Sequence, residues 1–425
     1  MKAVVLAAGE GVRLQPLTFT RPKHLLPVAG RPLIQHLIEA IRMAGINEIL
    51  IVVRYKAEMI SEFFGNGDKF GVKISYVQQG EEKGTADAVK AVEPYVEEDF
   101  LLVYGDLLVE NEVIKRVIKT HIREKAEATL TVVPVESPQH YGILALQGNR
   151  VIKIVEKPTP EEAPTNLANA GIYALSTSIF DKIRRTSHSK RGEIEITDSL
   201  TLLINEGKTV LAVTIPKESW IDVGRPWDLF EANEWKLKRL THRIDGQIEN
   251  GAVVIGPVTV EKNARIRSGA YIKGPVFIGA GSDVGPNCFI RPYTSLGKNV
   301  RIGNACEIKN SIILDETHVG HLSYVGDSII GESCNLGAGT VIANLRFDGK
   351  NVKMRVKDEI VDTGRRKLGV ILGDHVETGI NASFMPGVKV GNNCWIGPHV
   401  LVSSDVPPDT VLLLRQELEE RRLKS

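Results

Sequence analysis

From Ile255 onward an aliphatic residue returns at every sixth position. The series runs Ile266, Ile272, Ile278, Val284, Ile290, Leu296, Ile302 and Ile308. After a slip it continues through Ile313, Val319 and Val325, then Ile330, Leu336 and Ile342. Late in the chain come Leu372, Thr378, Phe384, Val390, Ile396 and Val402. Neither an amphipathic helix nor an alternating hairpin keeps this period. A sustained six-residue repeat is the mark of a left-handed parallel β-helix, each step forming one flat face of a triangular coil. The aliphatic points inward, and the glycines and asparagines of IGAGSD, LGKNVR and VGNNCW allow the tight corners. The four cysteines obey the same rhythm. Cys288, Cys306, Cys334 and Cys394 each stand four residues after an inward aliphatic. They are too far apart for a C-x-x-C zinc site and are expected as small packed residues.

The first half has another rhythm. Apolar runs at 3–7, 48–53, 73–77, 100–103, 128–135 and 209–215 alternate with helical patterns at 32–44, 57–64, 84–92, 110–124 and 197–206. This βα alternation predicts an open, largely parallel, Rossmann-like sheet, with ligands at the carboxyl ends of its strands. The chain thus divides into an α/β domain over 1–225, a linker helix over 226–245, a β-helix over 246–410 and a terminal helix over 411–425. The charged stretch 346–369 interrupts the repeat and reads as an excursion loop.

Lys plus Arg number 53 and Asp plus Glu 52, so neither a nucleic-acid-binding tail nor a basic membrane patch is indicated. No apolar run approaches the ~20 residues of a membrane span. The N-terminus passes directly into a glycine loop rather than a signal peptide. A cytoplasmic protein is expected.

That loop is LAAGEGVRLQPLTFTRPKHLLP, after a strand that is apolar throughout. It offers backbone N–H groups at Gly9 and Gly11, then the cations Arg13 and Lys23. Yet Leu14 stands where a dinucleotide fingerprint needs its third glycine, Pro16 discourages an immediate helix, and no G-K-[ST] follows. The loop carries phosphate-binding chemistry without either common signature.

The run LAAGEGVRLQPLTFTRPKHLLPVAGRP resembles the opening motif of the sugar-1-phosphate nucleotidylyltransferases. YVQQGEEKGTADAV (76–89), YGD (104–106), YGIL (141–144), VEKP (155–158), NAGIY (169–173) and WIDVG (220–224) follow in that family's order. The resemblance implies a sugar-1-phosphate oxygen attacking the α-phosphorus of a nucleoside triphosphate, UTP or dTTP, with release of pyrophosphate. It implies that Ala7, Gly9, Gly11 and Arg13 hold the nucleotide, with Lys23 at the reacting phosphates. Gln79, Gly84 and Thr85 would face the base. Asp106 and Asp222 would hold Mg²⁺. Gly142, Glu156 and Asn169 would bind the sugar, and Lys157 its phosphate.

In the second half, FIRPYTSLG (289–297), EIKNS (307–311), GHLSYVGD (320–327) and NLGAGT (335–340) are similar to the acetyltransferase half of the bifunctional N-acetylglucosamine-1-phosphate uridylyltransferases, archaeal type. The resemblance implies acetyl transfer from acetyl-CoA to an amino-sugar-1-phosphate, in a homotrimer with sites between neighbouring β-helices. His321 would be the general base. Tyr324, Asn335 and Asn344 would orient the amine, sugar or thioester, and Arg291 and Lys309 would bind the sugar phosphate. Lys350 and Lys353 lie where archaeal relatives place functional lysines. Leu345 stands where bacterial members carry Tyr. The L-x-P-L-T-x-x-R-P-K run is closer to glucose-1-phosphate thymidylyltransferases, which implies tolerance of both UTP and dTTP and of glucose-1-phosphate. Two other readings compete: a nucleotidylyltransferase with an inert β-helix, and a regulatory subunit. His321, Arg291 and Lys309 count against the first. Arg13, Lys23, Asp106 and Asp222 count against the second.

Overall fold

The structure is a computed structural model that describes residues 1–80, 84–189 and 192–423. Residues 81–83 of the YVQQGEEKGTADAV motif lie outside the described residues. The chain forms two compact units that part between Gly224 and Arg225, and the short stretches Val12–Thr20 and Pro27–Gly30 cluster with the second.

The first unit is built on a nine-stranded sheet. Its strands run in the order Lys73–Gln78, Glu48–Val53, Ala3–Ala7, Phe100–Tyr104, Leu167–Leu175, Ala128–Pro134, Val210–Thr214, Arg150–Glu156, Gly142–Gln147. The first four are parallel. Leu167–Leu175 is antiparallel to both of its neighbours, and Gly142–Gln147 and Arg150–Glu156 form an antiparallel hairpin. The sheet is therefore mixed, not largely parallel. The expectation failed because these three strands follow one another without an intervening α-helix, so no βαβ crossover sets them parallel to their neighbours.

Both sheet faces are covered. Val5, Ile51 and Val103 belong to one buried cluster, and Val4, Val52 and Leu102 to the other. That two-sided burial explains the unbroken apolar runs. Helix Leu33–Met43 buries Leu33, Ile34, Leu37, Ile38 and Ile41, one stripe of a 3.6-residue period.

The second unit contains three parallel sheets of eight, nine and eight strands. Consecutive strands fall on different sheets. Val258–Val260, Arg265–Ile266 and Tyr271–Lys273 occupy the three in turn, and Val276–Ile278 returns to pair with Val258–Val260, eighteen residues on. One chain thus winds a three-faced coil, consistent with a β-helix. The sixfold aliphatics line its interior: Ile266, Ile272, Ile278, Val284, Ile290 and Ile302 are all fully buried in one cluster. The slip in the repeat is a shortening of the coil. Leu296 pairs with Ile313, and Ile313 with Ile330, seventeen residues apart.

One coil face is buried on its outer side as well. Ser295, Ile312, Ile329 and Ile371 alternate with inward residues yet are buried. Phe277 on that face rests against Gly30, where any Cβ would come within 2.0 Å of the ring. The linker is shorter than predicted: helix Asp228–Leu237 gives way to the first coil strand, Arg243–Ile244. The excursion carries an antiparallel hairpin, Lys353–Val356 with Glu359–Asp362.

The terminal helix expected over 411–425 is replaced by strand Val411–Leu412, paired with Trp395–Ile396, and no helix follows through residue 423. Leu413, Leu414, Leu418 and Leu423 are exposed, so no buried face supports a short helix there. Among the described residues no helix is long and apolar enough to cross a membrane.

Candidate active sites

The glycine loop leaves the carboxyl end of strand Ala3–Ala7. Beside it, strand Phe100–Tyr104 ends in Gly105, whose N–H donates to Leu6 O at 2.9 Å and places Asp106 next to the loop. Lys23 opens the 3-10 turn Lys23–Leu25, and its ammonium forms an ion pair with Asp106. Both side chains are about one-sixth exposed (16% and 14%), which leaves the pair reachable from solvent but poorly solvated. Burial pushes the Asp106 carboxyl up, and the Lys23 ammonium outweighs it, holding the group below the usual carboxylate range. His24 is fully enclosed behind this pair. Burial, then the adjacent Lys23, lowers its imidazole to about 3. Gly9 lies close by: a Cβ there would stand 3.8 Å from Lys23 Cε.

Asp222 arrives from a different part of the chain. Strand Trp220–Asp222 pairs antiparallel with Leu107–Val109, setting Asp222 opposite Leu107, and Val223 N–H donates to Asp106 O at 3.0 Å. The two carboxylates expected to hold Mg²⁺ therefore lie on adjoining segments. Among the described residues no three His, Cys, Asp or Glu side chains form a closed metal cage. Two hard carboxylates completed by substrate phosphates suit Mg²⁺, which is commonly bound in that way. Arg13 is exposed on the turn Val12–Leu14, in a stretch that belongs to the second unit.

Along the same unit the predicted base and sugar residues occupy two further clusters. Gln79 Nε2 donates to Gly84 O at 3.3 Å and to Asp87 Oδ2 at 3.1 Å. Gly84 has φ +121°, and a Cβ there would strike Ile194 O at 2.2 Å, so only glycine fits. Thr85 Oγ1 accepts from Ile196 N–H at 2.9 Å and lies 3.4 Å from the buried Glu195 carboxylate. Across the hairpin Gly142 stands opposite Glu156, and Thr197 Oγ1 donates to Glu156 Oε2 at 3.2 Å. Lys157 N–H donates to Tyr141 O at 3.0 Å, and Lys157 itself takes a left-handed φ of 45°. Asn169 sits at the irregularity in strand Leu167–Leu175. Its Nδ2 donates to Tyr173 Oη at 2.5 Å, and that hydroxyl donates to Tyr104 Oη at 3.0 Å. Burial raises both phenols, so the relay stays neutral. Glu195, Thr197, Tyr104 and Tyr173 were not singled out from sequence. Only Tyr104 and Tyr173 fall inside quoted motifs.

On the coil, the structure gathers four residues of one network. Lys309 Nζ donates to Asp327 Oδ2 at 2.7 Å, and Asn344 Nδ2 donates to Asp327 Oδ2 at 2.6 Å and to Tyr324 Oη at 3.1 Å. Burial raises the Tyr324 phenol despite the Asn344 hydrogen bond. Arg291 pairs with Glu307 at 2.7 Å, and Glu307 stacks directly on Tyr324 in the ladder. His321 is exposed. Its carbonyl accepts from Gly339 N–H at 3.1 Å and Ser323 Oγ at 2.7 Å, which fixes the backbone beneath the ring. Asn335 stacks on His318 rather than on His321. Lys353 begins the excursion hairpin, and Lys350 N–H donates to Asp348 Oδ1 at 3.2 Å. No hydrogen bond among the described residues joins His321, Asn335, Lys350 or Lys353 to the Tyr324 network.

The family model described as Nucleotidyl transferase matches residues 2–239, and that described as GMPPB C-terminal domain matches 272–366. Bifunctional protein GlmU of Methanocaldococcus jannaschii is 44% identical over 425 residues, the whole of both chains. The bifunctional sugar-1-phosphate nucleotidylyltransferase/acetyltransferase of Sulfurisphaera tokodaii is 43% identical over 409 residues, 96% of this chain and 98% of that one. Among solved structures, a UDP-glucose pyrophosphorylase complexed with UDP-glucose superposes with a TM-score of 0.52 at 29% identity, covering 56% of this chain and 98% of its own. With its mixed α/β sheet, its phosphate-type loop and full-length likeness to such relatives, the chain belongs to the nucleotidyl transferase family, among the bifunctional sugar-1-phosphate nucleotidylyltransferase/acetyltransferases.

Proposed function

We propose that the chain makes a UDP-amino sugar in two steps: N-acetylation of glucosamine-1-phosphate by acetyl-CoA, then uridylyl transfer from UTP to the product. The observation that carries this reading is the occurrence of both residue clusters in one chain that matches a bifunctional relative over its entire length. dTTP and glucose-1-phosphate are accepted as alternative substrates, as the thymidylyltransferase-like L-x-P-L-T-x-x-R-P-K run suggests.

In the acetyl step the substrate amine attacks the thioester carbonyl, the C–S bond breaks, and CoA leaves as the thiol. His321 takes the proton from the amine. Its ring is exposed, and in a homotrimer of left-handed coils the site would lie between copies. One coil face supports such an assembly, because Val253, Tyr271, Val341 and Leu401 are all exposed on it and aligned in register. Arg291 and Lys309 hold the sugar phosphate, with Lys350 and Lys353 as further lysines for the acetyl step.

In the nucleotidyl step an oxygen of the sugar-1-phosphate attacks the α-phosphorus and pyrophosphate leaves. Phosphoryl transfer needs positioning and charge neutralisation more than covalent help. Gly9, Gly11 and Arg13 hold the triphosphate, and Lys23 shifts from Asp106 toward the reacting phosphates. Asp106 and Asp222 would hold Mg²⁺, which neutralises charge developing on the phosphate oxygens when bound. Gln79, Gly84 and Thr85 read the base; Gly142, Glu156, Lys157 and Asn169 seat the sugar phosphate. Four unpaired cysteines suit a reducing, cytoplasmic setting.

The test is acetyl-CoA thiol release with glucosamine-1-phosphate, wild type against His321→Ala. Release that collapses in the variant supports the reading. No release by the wild type with either glucosamine- or galactosamine-1-phosphate would leave a nucleotidylyltransferase alone.

A further inference from the structure

GHLSYVGD ends in a residue to which the reading above gives no role. Asp327 is 3% exposed, yet its carboxylate receives three side-chain donors: Lys309 Nζ and Asn344 Nδ2 on Oδ2, at 2.7 and 2.6 Å, and Asn310 Nδ2 on Oδ1 at 2.7 Å. Its backbone is held as firmly. Asp327 takes a left-handed φ of 51°, its N–H donates to Lys309 O at 2.9 Å, and its carbonyl accepts from Gly369 N–H at 2.8 Å. Gly326 makes the convergence possible. A Cβ there would meet Tyr324 Oη at 2.5 Å and Asn344 Nδ2 at 2.6 Å.

The chemistry of the carboxylate then sets the direction of its neighbour. An ionised Asp only accepts, so the Asn344 amide must offer it nitrogen rather than oxygen. The same nitrogen also serves Tyr324 Oη. Asn344 Oδ1 is thereby turned to the opposite side of the amide, as an acceptor for an amine N–H. The carboxylate also holds the Lys309 ammonium, which keeps further N–H groups for a phosphate.

We propose that Asp327 is a positioning residue for acetyl transfer, acting through Asn344 and Lys309 without touching substrate itself. The inference rests on the acetyl-transfer reading of the coil site. Replacing the carboxylate by an amide lets Asn344 turn either way, and it frees Lys309 from its counter-ion. The loss belongs in the amine's approach to the thioester rather than in phosphate capture.

The experiment is steady-state thiol release by the full chain, with acetyl-CoA and glucosamine-1-phosphate, for wild type, Asp327→Asn, Asn344→Ala and the double variant. Asp327→Asn is expected to lower kcat by roughly tenfold to a hundredfold, the worth of one charge-assisted hydrogen bond. Its KM for glucosamine-1-phosphate does not rise, and UTP-dependent pyrophosphate release is unchanged. The double variant is no slower than Asn344→Ala, because one residue acts through the other. A wild-type kcat in Asp327→Asn, or losses that multiply in the double variant, overturns the proposal. If Asp327→Asn does not fold, the pair Lys309→Met/Asp327→Leu removes the buried carboxylate and its counter-ion together. A kcat equal to that of Lys309→Met alone then overturns the proposal, and a further tenfold loss supports it. No thiol release from the wild type would sink the acetyl-transfer reading and this inference with it; normal release by both wild type and Asp327→Asn sinks the inference alone.

Discussion

Gly142 and Glu156 face each other in one hairpin register, and a Cβ on Gly142 would lie 2.8 Å from Glu156 Oε2. The obstacle is the tip of a flexible side chain, not backbone, so the clash is relieved by swinging the carboxylate away. Gly142→Ala should therefore keep its stability within about 0.5 kcal/mol. It should raise KM for the sugar-1-phosphate in nucleotidyl transfer about tenfold and leave KM for UTP alone. Thermal melts beside substrate-saturation curves check both halves.

Lys23→Met takes the counter-ion from a poorly solvated carboxylate. Nucleotidyl transfer should fall by roughly a hundredfold or more, while thiol release from acetyl-CoA is unaffected. The stranded Asp106 should also make Mg²⁺ stabilise the variant more than the wild type, read as the shift in melting temperature on adding the metal. Equal shifts would argue against Asp106 as a metal ligand.

His24 gives the fold a pH dependence whose sign is fixed by its burial. The unfolded chain protonates this imidazole near its ordinary 6.5, and the folded chain only near about 3. Between those values the unfolded state holds one more proton, so stability falls as the pH falls, by about 1.4 kcal/mol per pH unit from this group. Denaturant titrations between about pH 6 and about pH 4 should show a slope one proton smaller in His24→Gln than in the wild type. Identical slopes would show that the imidazole is already charged in the fold.

The four thiols should be silent in the native chain. All four are buried, and desolvation pushes Cys288 and Cys334 up to about 12. A thiolate is the reactive form. A colourimetric disulfide reagent at neutral pH should label none of them quickly, and all four after unfolding. Rapid native labelling of even one would mean that a coil opens locally.

The coil was legible because its period is set by one repeated physical demand, an apolar side chain at the centre of each face. Even Thr378 could be assigned by position; it is buried, and its Oγ1 lies 2.8 Å from that of Thr340. The sheet was less legible. Leu167–Leu175 carries Asn169 and Gly171 in its middle, which breaks the apolar run that marked the other central strands. The terminal leucines read as a helix because period alone does not reveal whether a surface awaits them. Within the candidate clusters, the residues singled out from sequence sit in recognisable motifs, whereas Glu195 and Thr197 reach Thr85 and Glu156 from far away in sequence, and the contacts of Asp327 with Lys309 and Asn344 appear only once the coil is wound. His321 and Asn335 lie on successive coils, and the seventeen-residue turn sets His318 as the residue in register with Asn335.

The excursion at 346–369 leaves and rejoins the coil almost at a point. Leu345 bridges to Lys367, and Leu368 N–H donates to Asn344 O at 2.9 Å. The ladder resumes as if nothing had intervened, with Ile330 stacked on Leu372 and Ile342 on Phe384. A closed stem of this kind shields the count of the coils from the length of what it carries. Descendants of this chain are free to lengthen, shorten or recharge the hairpin on that stem without re-indexing a single rung.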